Sequence, residues 1–379
     1  MDIFKDKLKT VTYKQLLFYL IVVLCCAGSI IFVHNNHSYY DRPIAQVIES
    51  ELIDRTEFQD SMNNEDNLFT QHIKAEIKNG YEKGKIVELH NEFSLSKAYD
   101  FEFTVGDEVF INLEDNPKET DNLTGTIADV KRDKYLIVVA WVFIFTLLIV
   151  GRKQGLFSIL SLAINAMLIS YALDIYLAHS HISLLLICGI AAILFTVLSL
   201  LLVNGLNEKT YAAIISTLLG TFLSLLITYL VLLLTSERGL RFEELQFITR
   251  PYQMVFLAGL FLGSLGAVMD VAITMSSSIF GLYEENKRIS IKDLWKSGME
   301  VGKDIMGTMT NILLFAYVSG SIPVLILYFK NQYPLGLTLS LNLSLEIARA
   351  LAGGIGIVLT IPIGVYITIF FVTKKRAKI

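Results

Sequence analysis

Several uninterrupted apolar stretches, each close to the length that crosses a lipid bilayer, constrain this chain more than any other feature. A transmembrane helix needs about 20 predominantly apolar residues, and runs such as 252–280 and 345–373 reach that length. Hydrophobic residues make up 53% of the chain and charged residues only 18%, against about 25% in soluble domains. The sequence therefore predicts an integral membrane protein and excludes a disordered or ordinary soluble chain.

The apolar runs predict a mostly α-helical, multi-pass fold with eight transmembrane helices. Sixteen Lys and Arg residues fall on segments that would be cytoplasmic and four in short outer loops, which by the positive-inside rule places residues 1–15 and 374–379 in the cytoplasm. We expect the first span to be an uncleaved signal anchor. The predicted spans are 16–33 and, in a seven-span domain over 135–373, about 135–150, 156–178, 183–204, 210–235, 252–280, 304–329 and 345–373.

Residues 34–134 predict a small extracytoplasmic β-domain. This segment holds 22 Asp and Glu against 11 Lys and Arg, so it is a polar, acidic unit. Apolar and polar residues alternate along 72–77, 101–105 and 109–113, and Asn79-Gly80 is a hairpin signal. With strands also expected at 85–89 and 124–130, the pattern favours a β-barrel or sandwich that binds or gates rather than catalyses.

The loop 281–303 is the longest predicted cytoplasmic connection. Its apolar residues lie roughly along one face, with lysines between them. The pattern is typical of an amphipathic helix, which would lie either in the membrane interface or against the underside of the helical bundle.

A polar stripe runs along the predicted sixth span. Ionisable residues inside membrane helices are costly and are functional candidates by default. One carboxylate and three hydroxyls occur at helical spacings of i, i+4, i+7 and i+8, which places them on one face. They are Asp270, Thr274, Ser277 and Ser278. Hydrocarbon cannot solvate this stripe, so it must face protein or a polar cavity.

The seventh span repeats the pattern in the opposite direction with Asp304, Thr308 and Asn311 at i, i+4 and i+7. Similar motifs in antiparallel helices are typical of transporters built from inverted repeats. If this span begins near Lys303, Asn311 lies level with Asp270 and Thr308 level with Thr274, and the stripes form one ladder that opens to the cytoplasm. Interhelical hydrogen bonding without a transport role explains the hydroxyls and the amide equally well.

Other intramembrane features have packing explanations. Gly259, Gly263 and Gly266 form a small-residue face that allows close approach of another helix, and the glycines at 353, 354 and 356 in the eighth span are the candidate partner. Gly320 and Pro323 predict a kink or break. Glu346 and Arg349 are spaced as an interfacial ion pair, and Asp174 lies near the outer end of its span.

Three short strings resemble the YibE/F family of bacterial multipass membrane proteins: Gly266–Ala272, Val301–Asn311 and Leu314–Tyr317. The arrangement with an external β-domain is similar to the YibE-type member. The resemblance implies a plasma-membrane location and a companion YibF-like membrane protein as partner. It implies neither a substrate nor catalytic residues.

The sequence favours a secondary transporter or permease with a proton- or cation-coupled site between the sixth and seventh spans. Asp270 would carry the proton or cation, and Asp304 would be the cytoplasmic gate. Beyond the lipid bilayer and the companion, we expect no enzyme activity, cofactor, metal, nucleotide or nucleic-acid partner. The alternatives are an envelope scaffold that presents the β-domain and an intramembrane aspartyl protease. A protease dyad needs carboxylates about 3 Å apart, whereas the ladder separates them by more than about 10 Å.

Overall fold

The computed structural model describes residues 13–61, 63–97, 100–114, 123–179, 181–236, 238–242 and 251–377. The chain divides into two compact units, Met1–Thr146 and Leu147–Ile379. Within the described ranges, six helices are long and apolar enough to cross a membrane, and one bent helix pair makes a seventh. The protein is therefore mostly helical with a small β-sheet, as expected for a multi-pass membrane protein.

The first unit contains an apolar helix and a five-stranded sheet. Helix α1 spans Tyr13–His34, and a 3-10 turn covers Asn36–Tyr39. The strands follow as β1 (Ile44–Gln59), β2 (Glu65–Ile77), β3 (Ile86–Ser94), β4 (Glu108–Leu113) and β5 (Leu123–Val130). The pairing order β1-β2-β3-β5-β4 returns to β1, because β4 pairs with β1 at Ile44–Gln46. Among the ladders of the described strands, the β3–β5 ladder alone is parallel.

The interior of this sheet is filled by alternate side chains of β2, β3, β4 and the inner half of β1, together with Phe103 from the segment before β4. These side chains are Ala45, Val47, Ile73, Ala75, Ile77, Val87, Leu89, Phe103, Val109 and Ile111. The period-two pattern seen in the sequence is the cause, because successive side chains of a strand point to opposite faces. The apolar members of β2 and β4 are therefore buried in one core.

Two strand predictions need correction. Residues 101–105 form no strand, because side chains rather than a neighbouring strand bond the backbone of Phe103: its N–H donates to Gln71 Oε1 at 3.1 Å and its carbonyl accepts from Ser50 Oγ at 2.9 Å. In contrast β1, the longest strand, was not expected. Its outer half is exposed on both faces and therefore has no alternating apolar pattern to detect.

The sequence predicts two spans joined by a short loop at this point, whereas the structure has one element, α2, over Asp133–Ala178. The backbone of α2 is broken at Arg152 (φ 49°, ψ −119°). A Cβ atom at Gly155 would lie 2.1 Å from the carbonyl oxygen of Leu147. Residues eight positions apart in a straight helix are separated by about 12 Å, so the chain turns back sharply at Arg152. The predicted spans 135–150 and 156–178 thus lie on either side of this break.

The second unit continues with α3 (Leu184–Asn204), α4 (Glu208–Thr235), α5 (Tyr252–Glu285), α6 (Ile291–Ser319), α7 (Ile322–Lys330) and α8 (Leu335–Arg376). Helices α6 and α7 form the bent pair, with an angle of 55°, so the break predicted from Gly320 and Pro323 is confirmed. Helices α6 and α8 start at Ile291 and Leu335, before the predicted spans at 304–329 and 345–373.

Helix α8 packs against α4, α5 and α6. A Cβ at Gly353 would lie 3.3 Å from Ser264 Cβ of α5, and one at Gly364 would lie 3.4 Å from Met275 Cβ, so α8 runs parallel to α5. A Cβ at Gly302 of α6 would lie 2.2 Å from Ile361 of α8. Small residues at these points let the backbones approach closely, which supplies the packing energy that holds membrane helices together.

Candidate functional site

The predicted amphipathic loop 281–303 is not a separate element. Helix α5 continues to Glu285, and α6 begins at Ile291 after Ser290, whose hydroxyl accepts from the Asp293 N–H at 3.1 Å as an N-cap. The apolar side of the segment is continuous with the bundle core, since Leu294 is fully buried there. The amphipathic pattern is therefore that of the first turns of α6.

The polar stripe of α5 lies on the exposed side of the helical bundle, away from the packed core. Asp270 and Ser277 are exposed, and Thr274 and Ser278 are half-buried. The opposite face of the same helix is buried and apolar, with Val268, Val271, Ala272 and Met275 in contact with neighbouring helices. Asp270 is about 23 Å from the Glu285 end of α5 and about 27 Å from its Tyr252 end. A carboxylate thus stands on the outside of an apolar helix near its middle.

The polar stripe of α6 also faces outward. Asp304, Thr308 and Asn311 are all exposed, and the hydroxyl of Thr308 donates to the Ile305 carbonyl of its own helix at 2.8 Å. The buried side of α6 is formed by Gly298, Gly302 and Leu313 among others. Helical periodicity explains why the polar residues share one face, and the burial of the glycine face against α8 explains why that polar face is exposed.

The two stripes do not pair with each other in the described chain. Asp270, Asp304 and Asn311 form neither a hydrogen bond nor an ion pair with any described residue. Helices α5 and α6 meet instead through apolar and glycine contacts, such as Gly298 against Ile279. The polar site expected between these helices is therefore an outward-facing surface, which we call the polar face.

The relative height of the two acids differs from the expected one. Starting from the contact between Ile279 and Gly298, the antiparallel helices bring Asp270 level with Gly307, only about 5 Å along the axis from Asp304. The expected separation of more than about 10 Å is wrong because α6 begins well before residue 303. No hydrogen bond joins the two carboxylates within the described residues.

The glycines of α5 have different surroundings. A Cβ at Gly263 would lie 2.2 Å from the Tyr317 hydroxyl of α6, whereas Cβ atoms at Gly259 and Gly266 would meet no described atom within 4 Å. The close approach of α8 to α5 uses Gly353 and Gly356 on α8, as expected, but it meets the buried side of α5. Gly259 and Gly266 thus extend the polar face toward the Tyr252 end of the helix.

Two further acids of the helical domain differ from Asp270 in their surroundings: Glu346 is half-buried and paired, and Asp174 is exposed near a helix end. Glu346 and Arg349 form an ion pair three residues apart in α8, and the guanidinium also lies 5.4 Å from the centre of the Phe256 ring. The predicted ion pair is therefore confirmed. Asp174 is exposed near the end of α2 and provides a useful contrast to Asp270.

A buried seam of small polar residues between α4 and α8 was not recognised in the sequence. Ser224 Oγ of α4 donates to the Ala352 carbonyl of α8 at 2.7 Å, and a Cβ at Gly220 would lie only 2.0 Å from Thr360 Oγ1. The signal was present as the four-residue spacing Ser216-Gly220-Ser224, which matches the small-residue packing pattern. It was less conspicuous than Asp270 because it contains no charge.

A buried ionic cluster in the first unit was also missed. The side chain of Lys131 is 1% exposed, and its ammonium lies 3.0 Å from both Glu108 and Asp133 and donates to the Val33 carbonyl at 2.9 Å. Asp133 further accepts from Tyr40 at 3.0 Å. This cluster, which we call the junction, joins the end of α1, the sheet and the start of α2.

Charge balance explains the protonation of the junction. Burial lowers the pKa of Lys131, but hydrogen bonds and charge attraction from Asp133 and Glu108 outweigh this effect, so its pKa lies above the ordinary value. Burial and the hydrogen bond to Asp133 raise the pKa of Tyr40. The sequence around Lys131 is a mixed charge run and contained no signal of burial. Across the described residues, no three His, Cys, Asp or Glu side chains group as a metal site.

Residues 139–374 match the YibE/F-like protein family, and residues 38–130 match the YibE/F family N-terminal domain. The chain belongs to the YibE/F-like family. The N-terminal match covers the five strands, and the larger match covers every helix from α3 to α7 together with most of α2 and α8. No curated protein and no solved structure matches the chain.

Proposed function

We propose that this YibE/F-like protein is a secondary transporter of the bacterial plasma membrane, coupled to a proton or cation that binds at Asp270. The single observation that supports the proposal is the exposed, unpaired Asp270 carboxylate near the middle of an apolar helix of 34 residues. A charge facing lipid at the bilayer centre costs about 2.5–3.5 kcal/mol or more. Such a carboxylate is retained where it faces a hydrated path or another protein.

A second membrane subunit completes this proposed site. The polar face contains two carboxylates, hydroxyls and an amide, with glycines above them on α5, and lipid chains cannot satisfy these groups. We expect the companion YibF-like protein to cover the face, so that the transport path lies between the two proteins. Gly259 and Gly266 allow a partner helix to approach α5 closely, because no described side chain occupies their outer side.

The topology proposed for this transporter has eight spans. Helix α2 contains 46 residues, which as a straight helix would be about 69 Å long and more than twice the hydrocarbon thickness of about 30 Å. Its break at Arg152 supports two spans with Arg152 and Lys153 at the cytoplasmic turn. With the other six spans, this arrangement places the β-domain outside the cell and both termini in the cytoplasm.

A thermal-shift measurement tests the binding step. The purified protein and Asp270→Asn are compared with Na⁺, K⁺, divalent cations and protons as ligands, with Asp174→Asn as the matched control because Asp174 is also an exposed helix acid. A ligand at 100 times its dissociation constant stabilises the folded state by about 2.7 kcal/mol. We expect stabilisation in wild type and Asp174→Asn that is lost in Asp270→Asn.

A flux measurement tests the transport step. Vesicles that contain the protein, with and without its companion, and a trapped pH-sensitive dye are given a cation gradient. We expect proton movement that needs Asp270 but not Asp174. Equal ligand stabilisation and equal flux in wild type and Asp270→Asn would refute the proposal.

One observation favours a scaffold as the second candidate. The β-domain carries a long hairpin with exposed apolar side chains (Leu52, Ile53 and Phe58), which serves no evident purpose in ion movement. A scaffold would bind a partner through this domain and would be insensitive to Asp270→Asn. A wild-type chain that transports nothing in the presence of its companion would support this alternative.

A further inference from the structure

The outer half of β1 and the start of β2 form a hairpin that extends beyond the rest of the sheet. We call residues 51–59 and 65–71 the distal arm. β2 is paired on both sides only from Leu68 onward, because Leu68 lies opposite Ser94, the last residue of β3. The tip of the arm therefore has two strands. A two-stranded hairpin is marginally stable in water, and a third strand with an apolar face makes such a sheet stable.

One edge of the arm is open. The free side of β1 pairs with β4 only at Ile44–Gln46, and Val47 then exchanges backbone hydrogen bonds with Gly106 and Asp107. From residue 51 to residue 59, no described segment other than β2 bonds to the backbone of β1. Nine residues span about 30 Å, a length that accommodates an added strand.

The side chains along this edge are apolar and acidic. Leu52, Ile53 and Phe58 are 57%, 59% and 60% exposed, an unusual amount of apolar surface for an unpaired strand edge. Residues 49–66 contain seven acids and one base, and Glu57 and Glu65 have no cationic partner in the described chain. The charge disfavours pairing of the edge with a second copy, since like charges would oppose each other.

The position of the arm also disfavours a lipid surface as its partner. The sheet is attached to α1 and α2 at the opposite end, where Lys131 bonds to the Val33 carbonyl of α1 and pairs with Asp133 of α2. Gln59 lies about 50 Å along β1 from Ile44. The polar layer on each side of a bilayer is only several ångströms thick, so Phe58 would enter it only with β1 lying nearly flat along the membrane surface.

We propose that the open edge of the distal arm binds an extended, basic segment of a partner protein, which adds to the sheet as a third strand next to β1. Backbone hydrogen bonds would supply affinity, as in other strand-addition complexes. The acidic residues, Glu57 among them, would select lysine and arginine, and Leu52, Ile53 and Phe58 would contact alternate apolar side chains. This interaction is independent of transport at Asp270.

The test uses the full-length protein in lipid nanodiscs and a synthetic ten-residue peptide of alternating lysine and valine. Hydrogen exchange by mass spectrometry is followed with and without the peptide. We expect amides of residues 51–59 to exchange about tenfold more slowly in the complex, whereas β3 and β5 stay unchanged. The same peptide with an N-methyl group on every residue has no backbone N–H to donate on either edge, so it should give no protection.

Two variants locate the site. Glu57→Lys should weaken peptide binding about tenfold, whereas Asp41→Lys, which changes the net charge equally at the attached end of the sheet, should leave it within about twofold. Equal binding of the N-methylated peptide, equal weakening by both variants, or no binding at all would overturn the proposal. If the amides of residues 51–59 are protected from exchange without peptide, and this protection disappears when the protein is diluted, the edge pairs with a second copy of the chain instead.

Discussion

Replacement of Lys131 by methionine is the most informative test of how the β-domain is attached to the membrane helices. Lys131 is the cation of the junction, and its side chain is 1% exposed while Glu108 and Asp133 are 10% and 23% exposed. Methionine matches the length of the lysine stem but removes the charge. The variant therefore removes the cation from two largely buried carboxylates and leaves Glu108 with the imidazole of His37, whose Nε2 lies 3.2 Å from it.

The expected cost follows from this geometry. Removal of one partner of a buried ion pair costs about 3–5 kcal/mol. Water reaches Asp133 in part, and Asn36 still donates to it at 2.9 Å, so we expect the lower end, about 3 kcal/mol. For a unit of about 100 residues, each kcal/mol lowers the melting temperature by about 4–8 °C. The melting temperature of the junction should therefore fall by at least about 12 °C.

Tryptophan fluorescence measures this loss directly. The indole N–H of Trp141 in α2 donates to Ser29 Oγ in α1 at 2.7 Å, and the chain contains only one other tryptophan, Trp295. In a Trp295→Phe background, the emission of Trp141 reports separation of α1 from α2. Lys83→Met is the matched control, since Lys83 is exposed and should change the melting temperature by no more than about 2 °C.

A double variant distinguishes charge from packing. Glu108→Gln should recover part of the stability lost in Lys131→Met, because it removes one of the two carboxylate charges that Lys131 balances in the wild type. The buried ion pairs do not stabilise the junction if Lys131→Met has the same melting temperature as Lys83→Met. The same conclusion follows if adding Glu108→Gln to Lys131→Met lowers the melting temperature further.

The pH dependence has a defined sign. Because the folded pKa of Lys131 is raised, its contribution is fully present below the unfolded value of about 10.4 and is lost as the pH rises through the folded pKa. The difference between wild type and Lys131→Met should therefore be constant from pH 7 to 9 and should shrink above about pH 10.4. A difference that disappears by pH 9 would contradict this assignment.

Three further substitutions test the fold. Gly220→Leu places a side chain where Thr360 Oγ1 is 2.0 Å from the Cβ position, so the α4–α8 contact should open. The purified variant should elute as an aggregate in size-exclusion chromatography, whereas Gly259→Leu, whose Cβ would meet no described atom within 4 Å, should not. Asn79→Ala removes hydrogen bonds to three backbone groups and should cost about 1–3 kcal/mol in thermal unfolding. Ser290→Ala removes the α6 N-cap and should cost about 1 kcal/mol, whereas Ser290→Asp should not.

Particular elements show how far the sequence predicts this structure. The apolar helices and strands β2 to β5 follow from local periodicity, and the ion pair of Glu346 and Arg349 follows from helical spacing. Strand β1 was missed because its outer half is exposed on both faces. The sequence predicts the first turns of α6 as a loop helix because lysines interrupt the apolar run, whereas Leu294 belongs to the bundle core.

The sequence by itself determined that the chain is a membrane protein of the YibE/F-like family and that Asp270, Thr274 and Ser277 share one helix face, since both depend on residues close together in the chain. Only the tertiary structure decided that this face points outward, that Gly220 and Thr360 meet at a buried seam, and that Lys131 is enclosed. The physical reason is that helical periodicity defines the faces of a helix, whereas the packing of neighbouring helices decides which face is buried.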